Sequence, residues 1–169
     1  TEFLEKNKPD LVIVHGDRVE PLACAMASVL RNVKIAHVEG GEVSGTVDEI
    51  LRHAISKLSH IHFVSNKIAK NRLLQMGENK NNIFVVGSPD VDLILKKDLP
   101  KLTEVKDRYG ISFQKYSISI LHPVTTDISN LKEEAQIYFQ ALKESKKKYI
   151  VTYPNNDLGS DIILKEIKK

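Results

Sequence analysis

Short runs of Val, Ile and Leu recur along this chain, and each closes on a polar or glycine-containing turn. Leu11-Val12-Ile13-Val14 follows Pro9-Asp10 and runs into His15-Gly16-Asp17-Arg18. Lys34–Val38 runs into Glu39-Gly40-Gly41-Glu42-Val43-Ser44-Gly45. His60–Val64 leads to Asn66, and Ile83–Val86 leads to Gly87-Ser88-Pro89-Asp90. Continuous apolar runs bounded by such turns predict parallel strands buried on both faces. The intervening segments predict helices. Residues 2–7 are polar and helix-compatible, and residues 20–31 are Ala-rich with Pro21 in the first turn. A further helix starts at Thr46, which has the capping-box spacing to Glu49. Within it Ile50, Leu51, Ala54, Ile55 and Leu58 predict a sheet-facing stripe. Asp48, Glu49, Arg52, His53 and Ser56 fall on the other side, and Asp48 is spaced to pair with Arg52. Asn66 is an expected N-cap and Gly77 an expected C′ residue for the next helix. A short helix is expected over Asp90–Lys97.

The pattern changes after that. Residues 98–114, with Pro100 and many charges, read as a linker that holds a short helix near Thr103–Tyr109. A new strand is expected over Tyr116–Leu121, with His122-Pro123-Val124-Thr125-Thr126-Asp127 leaving its end. A helix over about Leu131–Ser145, a strand over Tyr149–Tyr153, an exit turn Pro154-Asn155-Asn156-Asp157 and a helix over Asp161–Lys168 follow. Strand–helix alternation throughout gives an α/β class with parallel sheets. Two strands are too few to bury a core alone, so the chain is expected to be cut at both ends.

Composition narrows the function. The chain is 41% hydrophobic and 28% charged, as in ordinary globular proteins. Its net charge of +3 is dispersed, and with no Trp and 6% aromatic residues it lacks the means to stack bases. No nucleic-acid partner is expected. No apolar run approaches membrane-spanning length, and no signal peptide opens the chain. The single cysteine, Cys24, cannot form an internal disulfide and suits a cytoplasmic setting. Its apolar helical neighbours predict a small buried hydrophobe. His60 and His62 alternate along a strand and read as structural. No His-Glu-x-x-His motif, Gly-x-Gly-x-x-Gly motif or P-loop occurs, so neither a metal nor a nucleotide cofactor is expected.

In an open parallel sheet the loops at the carboxyl ends of the strands converge on one crevice. Asp17, Arg18, His37, Glu39 and Asp48 are therefore candidates for one cavity. A guanidinium can grip phosphate oxygens in pairs, and carboxylates beside it can move protons. The structural alternatives are equally concrete. Asp17 could cap a helix, Arg18 could pair on the surface, and Asp48 could belong to an ordinary acidic first turn. The three glycines of the 39–45 loop suit a backbone that must approach something closely.

Taken together, His15-Gly16-Asp17-Arg18, His37-Val38-Glu39-Gly40-Gly41-Glu42-Val43-Ser44-Gly45-Thr46, Arg52-His53-Ala54-Ile55-Ser56-Lys57 and His122-Pro123-Val124-Thr125-Thr126-Asp127 resemble the hydrolysing UDP-N-acetylglucosamine 2-epimerases of sialic acid synthesis. Non-hydrolysing relatives share His-Gly-Asp and His-Val-Glu. Here Gly40 replaces their Ala, Glu42 their Leu and Pro123 their Arg, which favours the hydrolysing branch. The resemblance implies a GT-B-type enzyme of two Rossmann-like domains. Residues 1–97 would be the later part of the first, 98–114 a linker, and 115–169 the start of the second. It implies that UDP-N-acetylglucosamine is converted to N-acetylmannosamine and UDP through C2 deprotonation, anti elimination and hydration of a glycal. It assigns acid/base roles to Asp17, Glu39 and Asp48, and UDP contacts to Arg18, His122 and Asn155. It implies no metal or cofactor, a cytoplasmic enzyme and a homo-oligomer. The family's earlier Arg and Ser loop and its later Gly-Asn-Ser-Ser segment do not occur here, so little or no turnover is expected of these residues alone. A nucleotide-sugar-binding fragment without turnover and a non-hydrolysing epimerase are the alternatives.

Overall fold

A computed structural model describes residues 1–96 and 98–169. Two compact units divide the chain, Thr1–Lys97 and Asp98–Lys169. The first begins with helix α1 (Glu2–Asn7) and then alternates: β1 (Leu11–His15), α2 (Val19–Val29), β2 (Lys34–Val38), α3 (Val47–Leu58), β3 (Ile61–Val64), α4 (Lys67–Gln75), β4 (Ile83–Val85) and α5 (Pro89–Ile94). Its four strands pair in parallel in the order β1-β2-β3-β4. Strands added in one direction by right-handed crossovers place every connecting helix on one face, and the packing agrees. Val12, Val14 and Ile35 meet Leu22 and Ala25 of α2 and Ile55 and Leu58 of α3. Val64 and Ile83 meet Ala69 and Leu73 of α4.

The register separates two rows of side chains. Val14, His37, His62 and Ile83 stand opposite one another in successive strands, on the helix-covered face. One residue on, Val38, Phe63 and Phe84 form a row on the other face, with the Phe63 and Phe84 ring centroids 5.8 Å apart. That face is left open: Ile13 is 64% exposed and Phe84 47%.

The local signals resolve in different ways. Asn66 caps α4, its side chain accepting from the Ala69 N–H at 2.9 Å. Gly77, at φ 88°, closes that helix, with the Glu78 N–H on the Leu73 carbonyl. The capping box at Thr46 does not form. Thr46 is the N-cap of α3 without a side-chain cap bond. The Glu49 carboxylate instead accepts from the Ser44 and Gly45 N–H groups, at 3.1 and 2.8 Å. It therefore braces the loop before the helix. Ile50 is 69% exposed and does not join the sheet-facing stripe. Cys24 is exposed, because α2 buries Ala25 and Ser28 and turns Cys24 away from the sheet. His60 precedes β3 instead of lying in it, and its Nδ1 accepts from the Ile35 N–H at 3.3 Å. The helix expected over Asp90–Lys97 is observed as Pro89–Ile94, and Lys97 lies outside the described residues.

The second unit holds α6 (Leu102–Arg108), β5 (Ser117–Ser119), α7 (Leu131–Glu144), β6 (Tyr149–Val151) and α8 (Ser160–Ile167). β5 and β6 pair in parallel. Leu131, Ala135 and Phe139 recur every fourth residue on α7 and pack with Ile163 of α8 and Val151 of β6. Both strands are shorter than the apolar runs that predict them. Among the described residues, no helix is long and apolar enough to cross a membrane.

The two faces of the first sheet predict a contrast. Ile35→Ala, at a fully buried position, should cost about 2–5 kcal/mol. Ile13→Ala, on the open face, should stay within about 0.5 kcal/mol. Urea unfolding followed by circular dichroism measures both, and equal losses would contradict this packing.

Candidate active site at the carboxyl edge of the first sheet

The strands of the first unit are parallel, so the turns that leave them, with Asp17, Glu39, Ser65 and Ser88, lie at the same edge. Gly16, at φ 78°, turns the chain out of β1. Its carbonyl accepts from His37 Nε2 at 2.8 Å. A carbonyl only accepts, so Nε2 carries the proton. Nδ1 of the neutral ring then accepts from the Ser56 hydroxyl at 3.0 Å. Both His37 and Ser56 are fully buried. Burial is the largest cause that lowers the His37 pKa, to about 4. The bond to Gly16 opposes it, and the nearby charges of His62, Arg52 and His15 lower it further. A Cβ on Gly40 would stand 2.7 Å from Ser56 Oγ and 2.8 Å from His37 Nδ1. Only glycine fits there while that hydrogen bond is kept.

Ser56 is one of three residues at four-residue intervals on α3 that face the strand exits. Arg52 pairs with Asp17, and both side chains are mostly buried. Asp48 Oδ1 lies 3.8 Å from Arg18 Nη1, and Asp48 Oδ2 accepts from the Thr46 hydroxyl at 3.3 Å. The pairing expected between Asp48 and Arg52 is thus replaced by two pairs that cross from α3 to the β1 exit. The face of α3 opposite its predicted sheet-facing stripe is the one that buttresses this loop.

Glu39 leaves β2 at φ 62°, a left-handed conformation that costs a residue with a Cβ roughly 1–2 kcal/mol. Its N–H stays on the Phe63 carbonyl at 2.8 Å. Its Oε2 meets His15 Nε2 at 2.7 Å, and its Oε1 accepts from the Ser88 hydroxyl at 2.5 Å. Burial raises the Glu39 pKa, but the hydrogen bonds from Ser88 and His15 outweigh it, and the net shift is downward. Glu39 is an oriented carboxylate at neutral pH. The loop beyond it is pinned as well. Arg72 donates to the Gly41 carbonyl, and Asn66 donates to Glu42 Oε1 at 3.2 Å.

In the second unit, the loops after β5 and β6 bring His122 and Asn155 together. His122 Nδ1 accepts from the Asn155 N–H at 3.2 Å, and the Asn155 side chain turns to Asp157 at 3.4 Å. Five of the seven candidate residues, Asp17, Arg18, His37, Glu39 and Asp48, thus stand at the carboxyl ends of the first unit's strands and on α3. The other two stand together on the second unit. His15, Arg52, Ser56 and Ser88 join the first cluster without having been singled out as site residues. Ser88 follows a glycine at a strand's carboxyl end, as Asp17 does, and that position is the signal that finds it. His62, read as structural, is buried and meets Glu78 at 3.2 Å. Among the described residues, no three His, Cys, Asp or Glu side chains are grouped to hold a metal ion.

The comparisons with known proteins are consistent along the whole chain. Residues 1–169 match the family described as UDP-N-acetylglucosamine 2-epimerase. The chain belongs to that family. It is 49% identical over 162 residues to a Neisseria meningitidis serogroup B protein named UDP-N-acetylglucosamine 2-epimerase, covering 96% of this chain and 43% of that one. It is 41% identical over 170 residues to a Legionella pneumophila protein named UDP-N,N'-diacetylbacillosamine 2-epimerase (hydrolyzing), covering 100% of this chain and 45% of that one. Its fold superposes with TM-score 0.78 on the Methanocaldococcus jannaschii UDP-GlcNAc 2-epimerase solved with UDP-GlcNAc and UDP. That match has 29% identity and covers 99% of this chain and 47% of the other. The chain therefore spans under half the length of these epimerase relatives.

The buried imidazole gives the site a pH signature. Unfolded, His37 titrates near 6.5, and folded near 4. Its stabilising contribution is full above pH 6.5 and falls as the pH drops toward 4, by up to about 3 kcal/mol. The lowered pKa of His62 acts in the same direction. His37→Gln should be less stable at pH 7 and lose less between pH 6.5 and 4. Urea midpoints at the two pH values measure this, and an unchanged slope would exclude a buried neutral His37.

Proposed function

We propose that this chain is part of a hydrolysing epimerase that converts UDP-N-acetylglucosamine to N-acetylmannosamine and UDP. The observation that carries the reading is the Glu39 carboxylate. It is ionised, fixed from both oxygens, and held at the sheet's carboxyl edge in a backbone conformation that costs energy to keep. The C2 proton of the sugar is weakly acidic, so its removal needs a base of this kind. UDP then leaves with anti geometry, and water adds to the glycal. Asp17 and Asp48 are the other acid/base carboxylates, and Arg18 meets the diphosphate as it gains charge. In the second unit the family pattern gives His122 and Asn155 to UDP.

Two features support the hydrolysing branch. One is the similarity to the hydrolysing Legionella relative. The other is Gly40, where the Ala of the non-hydrolysing pattern would crowd Ser56 and His37. Residues 1–97 belong on this reading to one Rossmann-like domain and residues 115–169 to a second, joined by 98–114, in a cytoplasmic homo-oligomer.

The test follows product. In a chain extended to the relatives' length, incubation with UDP-N-acetylglucosamine should give UDP and N-acetylmannosamine by mass analysis. UDP-N-acetylmannosamine as the product would replace this reading with the non-hydrolysing one. Glu39→Gln should lower kcat about 100- to 10,000-fold and leave UDP binding intact by calorimetry. Unchanged turnover would remove Glu39 from the chemistry. The 169 residues alone should show no turnover, and UDP release near the full rate would contradict that.

A further inference from the structure

We infer that Ser88 and His15 are positioning residues that hold Glu39 by one oxygen each and present it to the sugar as an oriented base. The inference rests on the epimerase reading above and gives roles to two residues that the resemblance leaves without one.

Three different strand exits meet at this carboxylate. His15 ends β1, Glu39 follows β2, and Ser88 follows β4 as the N-cap of α5. Ser88 is forty-nine positions from Glu39 in sequence. Its hydroxyl makes no side-chain cap bond to α5. It donates to Glu39 Oε1 at 2.5 Å instead, the short separation typical of a hydroxyl on an ionised carboxylate. A serine after a strand would ordinarily be spent on the helix that follows. Here the hydroxyl is turned across the sheet edge to the second strand.

His15 completes the clamp. Its Nε2–H donates to Glu39 Oε2 at 2.7 Å, since a carboxylate oxygen only accepts. The ring is about half exposed. A carboxylate has about four lone-pair positions. Two are occupied by these donors, and Ser65 adds a lesser hydrogen bond that also lowers the Glu39 pKa, which leaves room for a substrate proton. Rotation of the carboxyl group is blocked because each oxygen has its own donor, one ending β1 and one following β4. Orientation of this kind is what a base needs against a weak carbon acid. The left-handed φ of Glu39 is the local cost of bringing the side chain between the two donors.

The charged and titratable surroundings are defined. His15 is the titratable group bonded to Glu39. Asp17 and Arg52 pair on the β1 exit. His37, two residues before Glu39, stays neutral at physiological pH. Asp90 opens α5 two residues after Ser88. Within this set, Ser88 can be removed without changing any charge.

The experiment has two readouts. In the 169-residue chain, carboxyl-carbon NMR follows Glu39 through a pH titration. Ser88→Ala should move the Glu39 midpoint to higher pH, and Ser88→Thr should return it toward the original. A midpoint that does not respond to Ser88→Ala, in a variant whose amide spectrum is otherwise native, would overturn the proposal. In the extended enzyme, Ser88→Ala should lower kcat about 10- to 100-fold with KM within about twofold, the loss expected for one hydrogen bond to a charged group. The acid limb of its kcat profile should move to higher pH, and Ser88→Thr should restore both. Unchanged kcat with a shifted midpoint would overturn the catalytic part of the proposal. UDP-N-acetylmannosamine as the product of the extended enzyme would sink the hydrolysing reading and leave the NMR result standing.

Discussion

A fully buried imidazole ties the first unit together. His37 donates to the Gly16 carbonyl at the end of one strand and accepts from Ser56 in the last turn of a helix. The ring is fully buried, so loss of either bond leaves one of its nitrogens unpaired. The same contact explains Gly40, whose missing side chain makes room for it. It also fixes where Asp17 and Glu39 emerge, since Gly16 precedes the first directly and His37 lies two residues before the second. The rest of the site follows from this one ring and its two hydrogen bonds.

The second layer is electrostatic and serves orientation more than stability. Arg18 and Asp48 are substantially exposed, so their pair adds little folding energy. Arg52 and Asp17 are mostly buried and form a firmer link. Both pairs run between the β1 exit and α3, in parallel with the Ser56–His37 bond. The helix thus carries Asp48, Arg52 and Ser56 on one face as a rail along which the loop is set. A proton-transfer site on this edge gains carboxylates whose positions are set before any ligand arrives.

Much of this is legible in the sequence, and what is not has physical reasons. Parallel strands leave their signature in continuous apolar runs, and the turn after each run marks the carboxyl edge, which is how Asp17, Arg18 and Glu39 come into view as candidates. Asn66 and Gly77 act locally, through one side chain and one φ angle, and so are read correctly. The Asp48–Arg52 spacing and the Thr46–Glu49 capping box are also local signals. Each is overridden by a partner that only the fold supplies: Asp17 for Arg52, and the Ser44 and Gly45 N–H groups for Glu49. Ser88 lies forty-nine residues from the carboxylate it serves, a distance no spacing rule spans. Cys24 has apolar neighbours in sequence, yet α2 needs only a narrow stripe against the sheet and leaves it outside.

Membership of the UDP-N-acetylglucosamine 2-epimerase family agrees with this architecture along the full chain, and the geometry says how its residues are set at the sheet edge. The most direct test is the protonation of His37, read from nitrogen-15 NMR of its ring. The account predicts a neutral ring with the proton on Nε2 and a bare Nδ1, unchanged from pH 7.5 down to about 5. A ring protonated on Nδ1, or one that becomes imidazolium near pH 6.5, would contradict it.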